Sequence, residues 1–219
     1  MSGKKIVALT GNIGAGKSLI AERFASFYHF DFYGEKVNKT VLDNFYKCMD
    51  QAGVGYVTQL YFITSRFGQR LEMQLNPNSC VQDRIMDEDV YTFSKNLYNT
   101  NRLTKDEFEK IKSMKDSLTA NLQPIDLVVY LKADVETLKQ RILKRIRLNP
   151  KRENERGLTL PENDYLAQLN ELYDDWFKNY GGRKLKIETD NLKLANDLGK
   201  APMDFGNLEE TIKYIHKYV

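Results

Sequence analysis

Short apolar runs, separated by longer stretches with helical spacing, set the architecture of this chain. Ile6-Val7-Ala8-Leu9, Phe30–Tyr33, Cys80–Gln82, Leu127–Leu131 and Leu185–Ile187 suit buried strands. Leu19-Ile20-Ala21-Glu22-Arg23-Phe24 reads as a helix directly after the first strand. Further stripes follow at Val57, Leu60, Ile63 or Thr64, and Leu71; at Val90, Phe93 and Leu97; and at Phe108, Ile111, Met114 or Lys115, and Leu118. Two more comprise Leu138, Ile142 and Ile146, then Leu166, Leu169, Leu172 and Trp176, the last stopped by Gly181-Gly182. Leu208, Ile212 and Ile215 predict a terminal helix packed on the sheet edge. Strands alternating with helices predict an α/β fold, a parallel sheet of about five strands covered on both faces. Trp176 and the aromatic residues of the stripes are expected in the core. Asn149 to Asn163 is polar and broken by Pro150, Gly157 and Pro161, and it predicts a mobile loop.

Composition narrows the class. The 219 residues, 42% hydrophobic, suffice for one domain with a packed core. With 33 basic and 30 acidic residues the net charge is +3, too small to argue for a nucleic-acid partner. No apolar run approaches the length of a membrane span, so no membrane partner is expected. The first strand begins at Ile6, which leaves no room for a leader, and Cys48 and Cys80 are the two cysteines. The expectation is a cytoplasmic protein in a reducing compartment.

Gly11-Asn12-Ile13-Gly14-Ala15-Gly16-Lys17-Ser18 lies between the first strand and the first helix. Two glycines bracket four residues and are followed by Lys and Ser, the pattern of a loop that cradles phosphate. Such a loop turns successive backbone N–H groups inward, which needs glycines at unusual backbone angles, and the helix N-terminus adds its dipole. Lys17 would reach the β- and γ-phosphates, and the Ser18 hydroxyl would help to hold Mg²⁺. A nucleoside triphosphate site follows.

The acceptor must be read elsewhere. A GTPase would carry Asn-Lys-x-Asp after a strand; Asn38-Lys39-Thr40-Val41 lacks the Asp and falls too early. Phosphoryl transfer to a small molecule needs a base, cations and an acceptor pocket. Glu35 stands just past the second strand, at the sheet end where ligands sit in open α/β folds. It is a candidate base, or else a solvated loop carboxylate. Asp83-Arg84 closes the next strand: Asp83 could hold Mg²⁺ and Arg84 could stabilise the moving phosphoryl group, unless the two form a structural pair. Gln59 and Arg66 lie two helical turns apart and so share a face. With Asp89 they could read a nucleobase, although an Arg on a helix is more often a surface residue. Arg141 and Arg145 share a helix face next to the polar loop, and they suit either a lid closing over a triphosphate or a solvated basic face.

Taken together, these residues resemble the deoxynucleoside kinase family over nearly the whole chain. The resemblance is carried by the phosphate loop, Glu35, Gln59-Leu60-Tyr61 running to Arg66, Asp83-Arg84-Ile85-Met86-Asp87-Glu88-Asp89, Phe93-Ser94-Lys95-Asn96-Leu97-Tyr98 and the arginine-rich segment. It implies an ATP-dependent, Mg²⁺-assisted kinase of a deoxynucleoside 5′-hydroxyl, acting in nucleotide salvage as a homodimer packed through helices. Glu35 would be the base, Asp83 a magnesium ligand with Ser18, and Arg84 the contact to the 5′-oxygen and phosphoryl group. Tyr46 and Glu155 would hold the sugar 3′-hydroxyl, while Gln59, Arg66 and Asp89 would recognise the base. Arg141, Arg145 and Arg147 would close over ATP within a lid at about 141–163, and the Glu188–Asn191 loop would border the adenine. The Arg66 and Asp89 combination resembles the deoxycytidine, deoxyguanosine and deoxyadenosine branch, and a purine deoxynucleoside is favoured.

This chain departs from the family pattern in Lys36, where Pro is usual, in Ile85, where Ser or Thr is usual, and in a lid lengthened near Leu148 to Lys151. Two other readings stand beside the kinase. A nucleoside monophosphate kinase such as thymidylate kinase needs an extra acceptor-side cation, whereas Gly34 precedes Glu35 here. A catalytically silent structural subunit would not need Lys17, Ser18, Glu35, Asp83 and Arg84 all present.

Overall fold

In a computed structural model, residues 3–36, 38–48, 51–191 and 205–219 are described. The apolar runs form a parallel sheet of five strands in the order β2-β3-β1-β4-β5, as expected. They are β1 (Ile6–Thr10), β2 (Asp31–Tyr33), β3 (Cys80–Asp83), β4 (Leu127–Lys132) and β5 (Lys184–Glu188). The helices are α1 (Lys17–Tyr28), α2 (Lys39–Cys48), α3 (Val54–Leu75), α4 (Met86–Glu88), α5 (Lys95–Asn99), α6 (Lys105–Thr119), α7 (Val135–Leu148), α8 (Tyr165–Asn179) and α9 (Phe205–His216). A π-helical stretch, Asp89–Ser94, joins α4 to α5. No helix among the described residues is long and apolar enough to cross a membrane.

Alternation within the strands explains the two covered faces. Val7, Leu9, Leu127, Val129 and Leu131 point to one side and pack with Ile20 and Phe24 of α1 and Leu138, Ile142 and Ile146 of α7. Ala8, Val128 and Tyr130 point to the other and meet Leu169, Tyr173 and Trp176 of α8. Leu208, Ile212 and Ile215 place α9 in the α1 layer, and the His216 ring stacks on Tyr28 at 3.7 Å.

Two expectations need correction. On α3 the expected stripe holds at Ile63 and, partly buried, at Leu60, but Val57 and Leu71 are 65% and 41% exposed, while Gln59, Arg66, Gln69 and Arg70 are buried beside Ile63 and Met73. The inward face of α3 borders the site, so polar residues with partners there displace apolar ones. Residues 149–163, expected as a mobile loop, form 3-10 turns over Pro150–Thr159. Pro150 starts them, the Asn149 side chain accepts from the Lys151 N–H at 3.2 Å, and Leu158 inserts into the core.

Candidate active site

The parallel register brings the chemistry to one end of the sheet. Leu9 pairs with Asp83, so the turn after β1 and the end of β3 lie side by side. Gly11 and Gly16 take φ of 142° and 94°. A Cβ on Gly11 would stand 2.3 Å from the Leu131 carbonyl oxygen, so no side chain fits there. Lys17 Nζ folds back over the loop and donates to the carbonyls of Gly11 and Asn12 at 2.8 and 2.9 Å. Burial, aided by Arg84, lowers its pKa to about 8 against the pull of Asp83, Glu88 and Glu35. The Asn12 side chain accepts from the Ile13 N–H of the loop at 2.7 Å. It donates to the Leu166 carbonyl and to Asn170 Oδ1 at 2.8 and 2.7 Å, tying the loop to α8.

Ser18 Oγ donates to Asp83 Oδ2, and Asp83 Oδ1 is buried without a hydrogen-bond partner among the described residues. A hydroxyl beside a half-satisfied carboxylate is a hard oxygen pair, the donor type that Mg²⁺ selects. The two residues therefore fit the ion.

Glu35 lies between two guanidinium groups. Its Oε1 accepts from Arg66 Nη2 at 2.9 Å and pairs with Arg84 Nε at 3.2 Å. Burial alone would raise this carboxyl, but Arg84, Arg66 and Lys17 outweigh it and hold it down at about 2. Gln69 of α3 fixes the adjoining backbone by donating to the Gly34 carbonyl at 2.7 Å. Lys36, one departure from the family pattern, is exposed and pairs with Glu72 at 3.1 Å.

Arg84 adopts φ 73°, a left-handed conformation costing a non-glycine residue roughly 1–2 kcal/mol. Such strain persists where surrounding contacts hold it, and it marks functional turns. Here its N–H donates to the Leu9 carbonyl at 2.9 Å, and its side chain reaches Glu88 Oε2 at 3.1 Å and Tyr173 OH at 3.3 Å. Glu88 is wholly buried and also accepts from the Tyr173 hydroxyl at 2.5 Å and from the Ile85 N–H at 3.2 Å. Sequence reasoning missed Glu88 and Tyr173 as partners of Arg84. Only the i, i+4 spacing of Arg84 and Glu88 hinted at it.

These residues line one cavity of about 400 Å³. It runs from Gly14, Lys17 and Ser18 past Glu35 and Arg84 to Gln59, Arg66 and Asp89, with Phe45, Phe62 and Phe93 between. At the far end Arg66 Nε stands 3.2 Å from Asp89 Oδ2, and both residues are buried. Burial drives Asp89 up to about 7, with Arg66 opposing and Glu88 adding to the rise. Gln59 Oε1 is buried and has no hydrogen-bond partner among the described residues.

The rim comes from the arginine-rich segment. Glu155, 8% exposed, accepts from Arg145 Nη2 at 2.6 Å and from Arg152 Nη1 at 2.7 Å, and all three line the cavity. Arg141 instead donates to the carbonyl and hydroxyl of Thr189, beside the Glu188–Asn191 loop, and does not line the cavity. Arg147 is exposed. Tyr46 sits on α2, but its side chain lies outside the described residues.

A glycine loop on a central parallel strand, a hydroxyl and carboxylate beside it, and a cavity with its own carboxylate define a phosphate-loop kinase of a small acceptor. The sequence profile described as deoxynucleoside kinase matches residues 7–212. The chain belongs to the deoxynucleoside kinase family and is a phosphotransferase that acts on nucleosides in salvage. It is similar to a deoxyadenosine kinase of Dictyostelium discoideum, 26% identical across 95% of this chain and 88% of that protein. A deoxyadenosine kinase of Lactobacillus acidophilus is 25% identical across 96% and 98% of the two chains. Among solved structures, deoxyadenosine kinase from M. mycoides with bound dATP superposes with a TM-score of 0.73. It is 24% identical and covers 97% of this chain and 99% of its own.

Proposed function

We propose that the protein transfers the γ-phosphoryl group of ATP to the 5′-hydroxyl of a deoxynucleoside, with purine deoxynucleosides preferred and deoxycytidine next. One observation carries the reading: a single cavity connects Lys17 and Ser18 to Glu35 and then to Gln59, Arg66 and Asp89. Donor, proton acceptor and base-reading groups therefore lie in the order that a nucleoside would span. Glu35 accepts the 5′-hydroxyl proton as the oxygen attacks. Arg84 stabilises charge on the moving group, aided by Lys17 and by Arg145 at the rim. Mg²⁺, held by Ser18 and Asp83, would offset negative charge on the phosphate oxygens. Glu155, and Tyr46 from α2, hold the sugar 3′-hydroxyl. Gln59 and Asp89 accept from a base amine, while Arg66 donates to a ring nitrogen. The deoxyadenosine kinase names of the relatives support the purine preference.

The chain acts as one domain, residues 1–219, with its lid at about 141–163. Arg141, beside Thr189, borders the adenine of ATP. Two free thiols, Cys48 and Cys80, suit a cytoplasmic setting, and nucleic acid and membrane are not partners. A homodimer is supported by the outward face of α3, where Val57, Leu71 and Leu75 are exposed at helical spacing. The test is phosphorylation of the four deoxynucleosides, their ribose counterparts and thymidine monophosphate by ATP with Mg²⁺. The expected product is a purine deoxynucleoside 5′-monophosphate. Preferential phosphorylation of thymidine monophosphate would contradict the acceptor assignment.

A further inference from the structure

Arg66 holds two carboxylates that belong to different tasks. Its Nη2 donates to Glu35 Oε1 at 2.9 Å, and its Nε stands 3.2 Å from Asp89 Oδ2. Glu35 faces the phosphate loop, whereas Asp89 lies where the nucleobase is read. A guanidinium is planar and its donors point in fixed directions. Arg66 Nε and Asp89 Oδ2 form an ion pair, but neither atom makes a hydrogen bond among the described residues. Both can still turn to a base, and turning the guanidinium carries Nη2 away from Glu35. Arg66 is 4% exposed, so water offers little substitute for a lost partner.

We propose that Arg66 is an interlock: a base that engages Arg66 and Asp89 draws the guanidinium off Glu35 and frees that carboxylate to take the 5′-hydroxyl proton. This rests on the nucleoside kinase reading above and adds a link between base recognition and the chemical step. Without a nucleoside, Glu35 is over-held, since Arg84 Nε also stands 3.2 Å away and Lys17 lies close enough to lower its proton affinity further. A carboxylate so strongly stabilised as an anion is a weak base. Other charges lining the cavity come from Asp89 on the π-helical stretch and from Arg145, Lys151, Arg152 and Glu155 on the rim, while Glu88, which ends α4, is buried behind Arg84. Arg84 also touches Glu35, but it is committed to Glu88 and Tyr173 on its other side. Among the described residues, Arg66 is the cation that joins Glu35 to the base-reading end. Its departure leaves Glu35 one cation fewer and one lone pair free, at the moment when the 5′-hydroxyl of the same nucleoside arrives. No covalent step is added: the hydroxyl proton passes to Glu35 as the 5′-oxygen bonds to the γ-phosphorus and the bond from that phosphorus to the departing ADP oxygen breaks.

The test compares kcat and KM for deoxyadenosine and for purine 2′-deoxyriboside, which lacks the exocyclic amine, in wild type, Arg66→Met and Arg66→Lys. In wild type, loss of the amine should lower kcat by about tenfold, the scale of one hydrogen bond to a charged group. In both variants the two kcat values should agree within about twofold, because no guanidinium bridges the carboxylates. A wild-type loss confined to KM, or a kcat ratio that persists in the variants, overturns the interlock and leaves the kinase reading intact. A wild type that phosphorylates no deoxynucleoside overturns the reading itself. If neither variant folds, the wild-type kcat comparison decides alone.

Discussion

Glu35 and Asp89 share Arg66 within one cavity, yet their acidities move in opposite directions. At Glu35 the cations Arg84 and Lys17, with Arg66, outweigh burial and hold it at about 2, whereas burial drives Asp89 up to about 7, with Glu88 adding to the rise. The sign at Asp89 sets a pH dependence. Below about 7 it is protonated and accepts poorly from a base amine; above, it is ionised and accepts well. KM for an amine-bearing deoxynucleoside should therefore fall roughly tenfold between about pH 6 and 8, as one titrating group allows. Asp89→Asn should flatten that slope, and an unchanged slope would remove Asp89 from base reading. Arg84 makes a second prediction at this scale. Tyr173→Phe keeps the packing but removes the hydroxyl that contacts Arg84 and Glu88. We expect kcat to fall about three- to tenfold with nucleoside KM nearly constant, the range of one lost hydrogen bond.

At the scale of elements, α3 and the rim segment carry the site. The inward face of α3 is polar because it supplies Gln59 and Arg66 to the cavity, while Gln69 anchors the Gly34 carbonyl. Val57 and Leu71 face outward, so hydrophobic periodicity located Ile63 and Leu60 but not the polar residues that share their face. If the proposed homodimer packs through this face, Val57→Lys with Leu71→Lys should yield a monomer in sedimentation; a dimer that persists in the variant would place the interface elsewhere. The rim is stapled by Glu155 to Arg145 and Arg152. Glu155→Ala removes the proposed sugar contact and unties both arginines, so nucleoside KM should rise by about tenfold or more. An unchanged KM would leave Glu155 as a structural staple only.

For the whole molecule, the sheet was legible because strands buried on both faces read as apolar runs, and Ile6–Thr10 and Leu127–Lys132 are such strands. The phosphate loop was legible because its chemistry is local in sequence. Glu35, Asp83 and Asp89 could be located because parallel strands deliver their ends to one side. The Glu88–Tyr173 contact could not, since 85 residues separate the partners and the place of Tyr173 on the buried stripe of α8 does not say which group its hydroxyl meets. The approach of Arg66 to Asp89 was legible, but its second hold on Glu35 was not, and Arg141 could not be known to turn toward Thr189 until β5 was placed. The 3-10 anchoring of Pro150–Thr159 was concealed by composition, because polar residues with Pro and Gly read as a loop whether or not Leu158 and Glu155 are buried.

The central claim is that Glu35 takes the proton of the acceptor hydroxyl. It is tested most directly by kcat of Glu35→Gln against wild type, at saturating ATP, Mg²⁺ and the best deoxynucleoside, with nucleoside affinity measured separately by calorimetry. We expect a fall in kcat of roughly 10²–10⁴, the usual contribution of a general base, with affinity nearly unchanged. A kcat within about threefold of wild type would contradict it.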